Sequence, residues 1–168
     1  SWDTLVYAKY NPKKWHPKQQ EALDRIKERT TIDDEELKKS SQRFLYVKGR
    51  PGSGKTAVLI EAAVRAAKDG LTVLIVCPTG ALLCSLKEML PEFDGVERIH
   101  VDTIHSVLKY KRDRDKKVAF VPPSGFRKYE LVLCDEASRY DDLEWKRLFM
   151  TIEEQPHLPY VAICADFQ

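Results

Sequence analysis

The chain has 168 residues, of which 43% are hydrophobic and 32% charged, with a net charge of +2. That length holds one domain with a sizeable core, and that charge is too small to point to nucleic acid or membrane by itself. No stretch is apolar for the length of a membrane span, and Ser1-Trp2-Asp3-Thr4 lacks the basic-then-apolar order of a secretion signal, so an intracellular protein without a membrane partner is expected.

Residues 1–14 carry Trp2, Tyr7 and Tyr10 without periodicity and predict no element. Pro17 opens a helix that places Ala22, Leu23 and Ile26 on one face and runs to about Arg29. Residues 30–42 are charged and polar and read as a solvated loop or short helix. The apolar run Arg43 to Lys48 predicts a strand, and Ala57 to Asp69 predicts a helix ended by Gly70. On that helix Glu61, Arg65 and Lys68 line one face while Val58, Ile60, Ala63 and Val64 pack elsewhere.

Between that strand and helix stands Gly49-Arg50-Pro51-Gly52-Ser53-Gly54-Lys55-Thr56, a complete G-x-x-x-x-G-K-[ST] sequence. The glycines let the backbone curl so that its N–H groups face phosphate oxygens. Lys55 is placed to reach the β- and γ-phosphates, the Thr56 hydroxyl to bind Mg²⁺, and the helix N-terminus adds partial positive charge. A nucleoside triphosphate is the ligand this order of residues serves.

Leu71 to Cys77 is a continuous apolar run, as expected of a parallel strand covered on both faces. Pro78-Thr79-Gly80 turns into a helix carrying Leu82, Leu83, Leu86, Met89 and Leu90, stopped by Pro91. Val96 to Val101 reads as another strand, followed by Thr103-Ile104-His105 and a short helix. Lys109 to Lys117 is a charged loop that reads as a solvated insertion; its other reading is a contact to nucleic-acid backbone with Tyr110 stacking on a base. Leu131 to Cys134 is a buried strand, a helix starts near Asp141, and the last strand is Tyr160 to Ala165, ending at Asp166. Cys77, Cys134 and Cys164 lie in the apolar runs and Cys84 on a helical stripe; without C-x-x-C pairs they read as buried free thiols rather than zinc ligands.

Strands alternating with helices predict an α/β fold with a parallel, doubly wound sheet. The strand 131–134 delivers Asp135 and Glu136 at its C-terminal end, where such sheets bind ligands. Asp135 suits Mg²⁺, through water, and Glu136 suits polarising the water that attacks the γ-phosphate. With Glu136 present, ATP hydrolysis is expected rather than passive binding.

The ordered set Trp15 to Leu23, the phosphate loop, Pro78-Thr79-Gly80, Thr103-Ile104-His105-Ser106, Asp135-Glu136-Ala137-Ser138 and Ala165-Asp166-Phe167-Gln168 resembles the first motor domain of superfamily 1 helicases, most similarly the RecD-like branch. The resemblance covers almost the whole chain. It implies a P-loop NTPase of RecA-like architecture over residues 1–168, with residues 1–29 as a lead and adenine-reading helix and 43–168 as the core. It implies that Gln19 reads the adenine edge, its alternative being a helix-cap residue. It implies strand contacts from Pro78, Thr79, Gly80, Thr103 and His105, the histidine being equally readable as structural. Asp166 matches the acid of the motif that couples the γ-phosphate to the strand, and Gln168 stands next to that motif's glutamine. Ala81 stands where relatives commonly carry lysine, Ala165 where the motif usually begins with glycine, and the motif's own glutamine falls one position past Gln168.

The implied whole is an ATP- and Mg²⁺-dependent motor moving on single-stranded DNA or RNA, with a second motor domain expected outside these residues and slow hydrolysis expected of this domain alone. Two rivals stand beside it: a P-loop ATPase of another class acting on proteins, and a non-catalytic, nucleotide-dependent nucleic-acid-binding module.

Overall fold

The computed structural model describes residues 15–31, 44–49, 54–108, 110–112, 118–120, 129–153 and 160–166. In chain order they form α1 (Pro17–Thr30), β1 (Phe44–Gly49), α2 (Lys55–Lys68), β2 (Val73–Cys77), α3 (Gly80–Met89), a 3₁₀ turn (Val96–Arg98), β3 (Ile99–Thr103) and α4 (Ile104–Leu108). There follow β4 (Tyr110–Arg112), β5 (Val118–Phe120), β6 (Leu131–Cys134), a second 3₁₀ turn (Ala137–Arg139), α5 (Asp142–Glu153) and β7 (Tyr160–Asp166).

Five strands make one sheet in the order β1-β7-β6-β2-β3, and every pairing is parallel. All five C-terminal ends therefore lie along one edge. The last strand, β7, is inserted between β1, which leads into the phosphate loop, and β6, which delivers the acidic pair. Ile163 is level with both Tyr46 and Cys134, and from there β1 and β7 continue together to Gly49 and Asp166.

The continuous apolar runs follow from burial on both faces. In β2, Val73, Ile75 and Cys77 join the core under α1, α2 and α3, whereas Leu74 and Val76 join the opposite core under α4 and α5. The second core includes an aromatic series: Tyr140 lies 5.1 Å from Trp145, Trp145 stacks 5.5 Å from Phe149, and Phe149 meets Phe44 of β1 edge-on at 5.3 Å. Such pairs add about 0.5–1.5 kcal/mol each beyond area burial.

Four expectations are corrected. Residues 96–98 are a 3₁₀ turn rather than strand, because Gly95 enters them at φ 114° and the chain becomes extended only at Ile99. Part of the supposed loop at 109–117 is strand: Tyr110–Arg112 pair antiparallel with Val118–Phe120, a partner that local charge composition conceals. The charged face of α2 is not wholly solvated, since Glu61 is buried and its Oε1 accepts from Arg65 Nε at 2.7 Å. That helix packs against α1, the sheet and the first 3₁₀ turn, so nearly all its residues from Ala57 to Ala67 are enclosed. Cys84 is exposed on α3, because the buried stripe there is Leu86 and Met89; the other three thiols are buried as expected. Among the described residues, no helix is long and apolar enough to cross a membrane.

Candidate nucleotide-binding and hydrolysis site

The phosphate loop is described at its two ends; Arg50, Pro51, Gly52 and Ser53 lie outside the described residues, as does Gln168. Gly49 closes β1, and Gly54 caps α2 at φ 81°, a conformation that costs a side-chain-bearing residue energy and glycine almost none. Gly54 offers no side chain to cap this helix. The start of such a helix suits an anion, because its N–H groups point outward and the helix dipole favours negative charge there. The helix begins at Lys55, earlier than the sequence pattern indicated, so Lys55 and Thr56 occupy its first turn. Lys55 Nζ donates to the Gly49 carbonyl at 3.1 Å, which holds the ammonium across the mouth of the loop.

Asp135 follows β6 and is 1% exposed. Burial pushes its carboxyl up to about 6, and the neighbouring Glu136 charge adds to the rise. The Glu136 N–H, the Thr56 hydroxyl and the Lys55 ammonium oppose it. A carboxylate desolvated yet only partly compensated is one prepared for a cation. Thr56 Oγ1 lies 3.4 Å from Asp135 Oδ2, although 79 residues separate them in sequence. A hydroxyl and one buried carboxylate at this spacing fit Mg²⁺, which takes few protein ligands and completes its shell with phosphate oxygens and water. Among the described residues no group of three His, Cys, Asp or Glu could hold a metal by itself, so such an ion depends on the nucleotide.

Glu136 has φ 46°, ψ 46°, the only non-glycine residue at positive φ among those described. Such backbone costs on the order of 1–3 kcal/mol and persists only where surrounding bonds enforce it. Here Asp135 Oδ1 accepts the Glu136 N–H at 3.0 Å, and the Glu136 carbonyl accepts from Arg139 N at 3.0 Å. The Glu136 carboxylate meets Arg139 Nη1 at 3.0 Å. Both side chains are substantially exposed, so the pair orients the carboxylate more than it stabilises the fold.

One participant escaped the sequence pattern. The buried Tyr140 hydroxyl lies 2.9 Å from the carbonyls of both Val76 and Asp135. No local signal marks it, because its partner at the end of β2 lies 64 residues away.

Gln19 sits at the start of α1 and touches the loop. Its Oε1 accepts the His16 N–H at 3.0 Å, closing a capping box, and its Nε2 donates to the Gly54 carbonyl at 3.3 Å. The helix-cap alternative is the geometry seen. The amide retains one N–H and one lone pair for a base edge. An open depression of about 530 Å³ adjoins it, lined by Lys18, Gln19, Ala22, Val47, Lys48 and Gly49 among others.

At the β2–β3 end, Thr79 Oγ1 accepts the Leu82 N–H at 3.3 Å and caps α3, while Thr103 Oγ1 accepts the Ser106 N–H at 3.2 Å and caps α4. Each hydroxyl keeps its proton for another acceptor. Cys77 Sγ lies 3.5 Å from the carbonyls of Thr79 and Asp102, between the two turns, and burial pushes its thiol up to about 11. Pro78 and Gly80 flank Thr79 at the same edge, and His105 is exposed on α4. Asp166 ends β7 in register with Gly49, which brings its backbone beside the start of the phosphate loop.

No curated protein matches the chain. A family model described as an AAA domain matches residues 34–161, well over half the sequence, and spans both the phosphate loop and the Asp135-Glu136 pair. With the all-parallel RecA-like sheet and the loop-to-carboxylate contact, the chain belongs to the AAA-domain family of P-loop ATPases.

Proposed function

We propose that this domain is the ATP-hydrolysing motor half of a superfamily 1 helicase of the RecD-like type, coupling hydrolysis to movement on single-stranded nucleic acid. The observation that carries the hydrolytic part is the meeting of Thr56 and Asp135 at 3.4 Å, with Glu136 next in line on a constrained turn. Lys55 and the uncapped start of α2 bind the phosphates. Thr56 and Asp135 would hold Mg²⁺, which when bound neutralises charge on the β- and γ-phosphates. Glu136 orients and deprotonates the attacking water, and Gln19 lies where the base would be read. Asp166, whose backbone ends β7 level with Gly49, is the residue that would couple the γ-phosphate to the strand.

The nucleic-acid part is supported by placement. Pro78, Thr79 and Gly80 follow β2, the neighbour of β6, while Thr103 ends β3 and His105 follows it, on the same sheet edge. A strand lying across that end would touch turns one and two strands removed from the acidic pair. Movement further requires a second motor domain closing on the nucleotide.

The test is ATP hydrolysis by the full-length protein, with and without single-stranded DNA or RNA, beside Glu136→Gln. Expected are stimulation by single strands and a loss of about a hundredfold or more on substitution. Unstimulated hydrolysis would instead favour an ATPase acting on proteins, and an unaffected Glu136→Gln would remove the catalytic assignment.

A further inference from the structure

The Tyr140 hydroxyl has one proton and two carbonyl acceptors at equal distance, that of Val76 at the end of β2 and that of Asp135 at the end of β6. The Val76 carbonyl also accepts the Asp135 N–H at 2.8 Å, so the phenol closes a compact ring of bonds around the start of the acidic turn. The peptide between Asp135 and Glu136 is consequently held from both sides. Its N–H points to Asp135 Oδ1, and its carbonyl meets the phenol. This peptide leads into the one left-handed non-glycine residue described. The ring itself is buried and backed by Trp145, so the hydroxyl has little freedom to leave.

We propose that Tyr140 is a positioning residue for hydrolysis: its hydroxyl fixes the Asp135 carbonyl and thereby keeps Glu136 in the left-handed conformation that aims its carboxylate. Its hydroxyl is engaged inside the fold by two backbone carbonyls. A residue holding phosphates would alter ATP affinity; one that fixes the backbone of the acidic turn alters chiefly the chemical step. This inference rests on the reading of Glu136 as the base that activates water.

The experiment is a double-mutant cycle in the full-length protein with Tyr140→Phe and Glu136→Gln. It is read by single-turnover ATP hydrolysis, by equilibrium binding of a non-hydrolysable ATP analogue and by thermal unfolding. Phenylalanine keeps the ring and removes only the hydroxyl. The expected result is a rate about five- to tenfold lower for Tyr140→Phe, the worth of one buried hydrogen bond. Analogue affinity should stay within about twofold, and Tyr140→Phe should add no further loss in the Glu136→Gln background. A wild-type rate for Tyr140→Phe, a parallel fall in analogue affinity, or the same further loss on top of Glu136→Gln would each overturn the proposal. If Glu136→Gln alone hydrolyses normally, the assignment of the base fails instead, a result distinct from any of these.

Discussion

The two ends of the sheet's C-terminal edge are built in opposite ways. At the β1–β7–β6 end, polar groups are left in uncomfortable states: a helix start without a side-chain cap, a buried carboxylate pushed up to about 6, and a glutamate in left-handed backbone. At the β2–β3 end both threonine hydroxyls accept the N–H bonds that cap α3 and α4. The first end stores unfavourable energy that a magnesium–nucleotide complex would relieve, whereas the second is comfortable without a ligand. Under the proposed function the former would serve chemistry and the latter a surface that grips and releases a strand.

Substitutions should break this contrast in order of size. Asp135→Asn is expected to lower Mg²⁺-dependent hydrolysis by about a hundredfold or more, since it removes the buried anion that would hold the metal. It should also raise the melting temperature of the nucleotide-free protein near neutral pH, because the desolvated charge disappears. The pH dependence has a defined sign. Folding raises this carboxyl to about 6 from an ordinary 3.8. The nucleotide-free fold therefore bears a penalty above that value which is relieved as pH falls through about 6 toward 4. Over the same interval Mg²⁺–nucleotide binding should weaken as the proton competes with the metal. A melting temperature lowered by Asp135→Asn, or binding flat across this window, would contradict strain at this end.

The converse variant, Thr79→Val, should cost about 1 kcal/mol, the usual worth of a helix cap, seen as a fall of about 2–4 °C in thermal unfolding. Stabilisation by this change would show that the second end is strained too. The smallest effect concerns the thiols. Reaction of the native protein with a thiol reagent should modify Cys84 alone, while Cys77, Cys134 and Cys164 stay protected until unfolding. Burial pushes the Cys134 thiol up to about 12, which further suppresses its reactivity. Mass spectrometry of the labelled protein counts the sites, and early labelling of Cys77 would reveal opening between the two turns.

Legibility followed the range of the forces involved. The loop ending in Lys55-Thr56 and the pair Asp135-Glu136 were readable because their chemistry is written in consecutive residues. The strands β2 and β6 were readable because burial on both faces demands unbroken apolar runs. The pairing of Tyr110–Arg112 with Val118–Phe120 was not, since three-residue strands of mixed polarity have no periodicity to detect. The pattern set Glu61 apart from the packing residues of its helix, yet a good Arg65 partner lets this carboxylate enter a crowded helix contact. Tyr140 carried no signal because one of its two carbonyl partners, that of Val76, is brought near only by the folded sheet.

The insertion of β7 between β1 and β6 has a consequence for the chain during its synthesis. Among the described strands, β1 pairs with β7 alone, so the strand that presents the phosphate loop has no sheet partner until Tyr160–Asp166 has been made. At ordinary elongation rates that wait is on the order of ten seconds. Throughout it, the nucleotide-binding sequence is complete but unsupported. ATP binding by a nascent chain should therefore appear abruptly, when β7 emerges and slides into the gap.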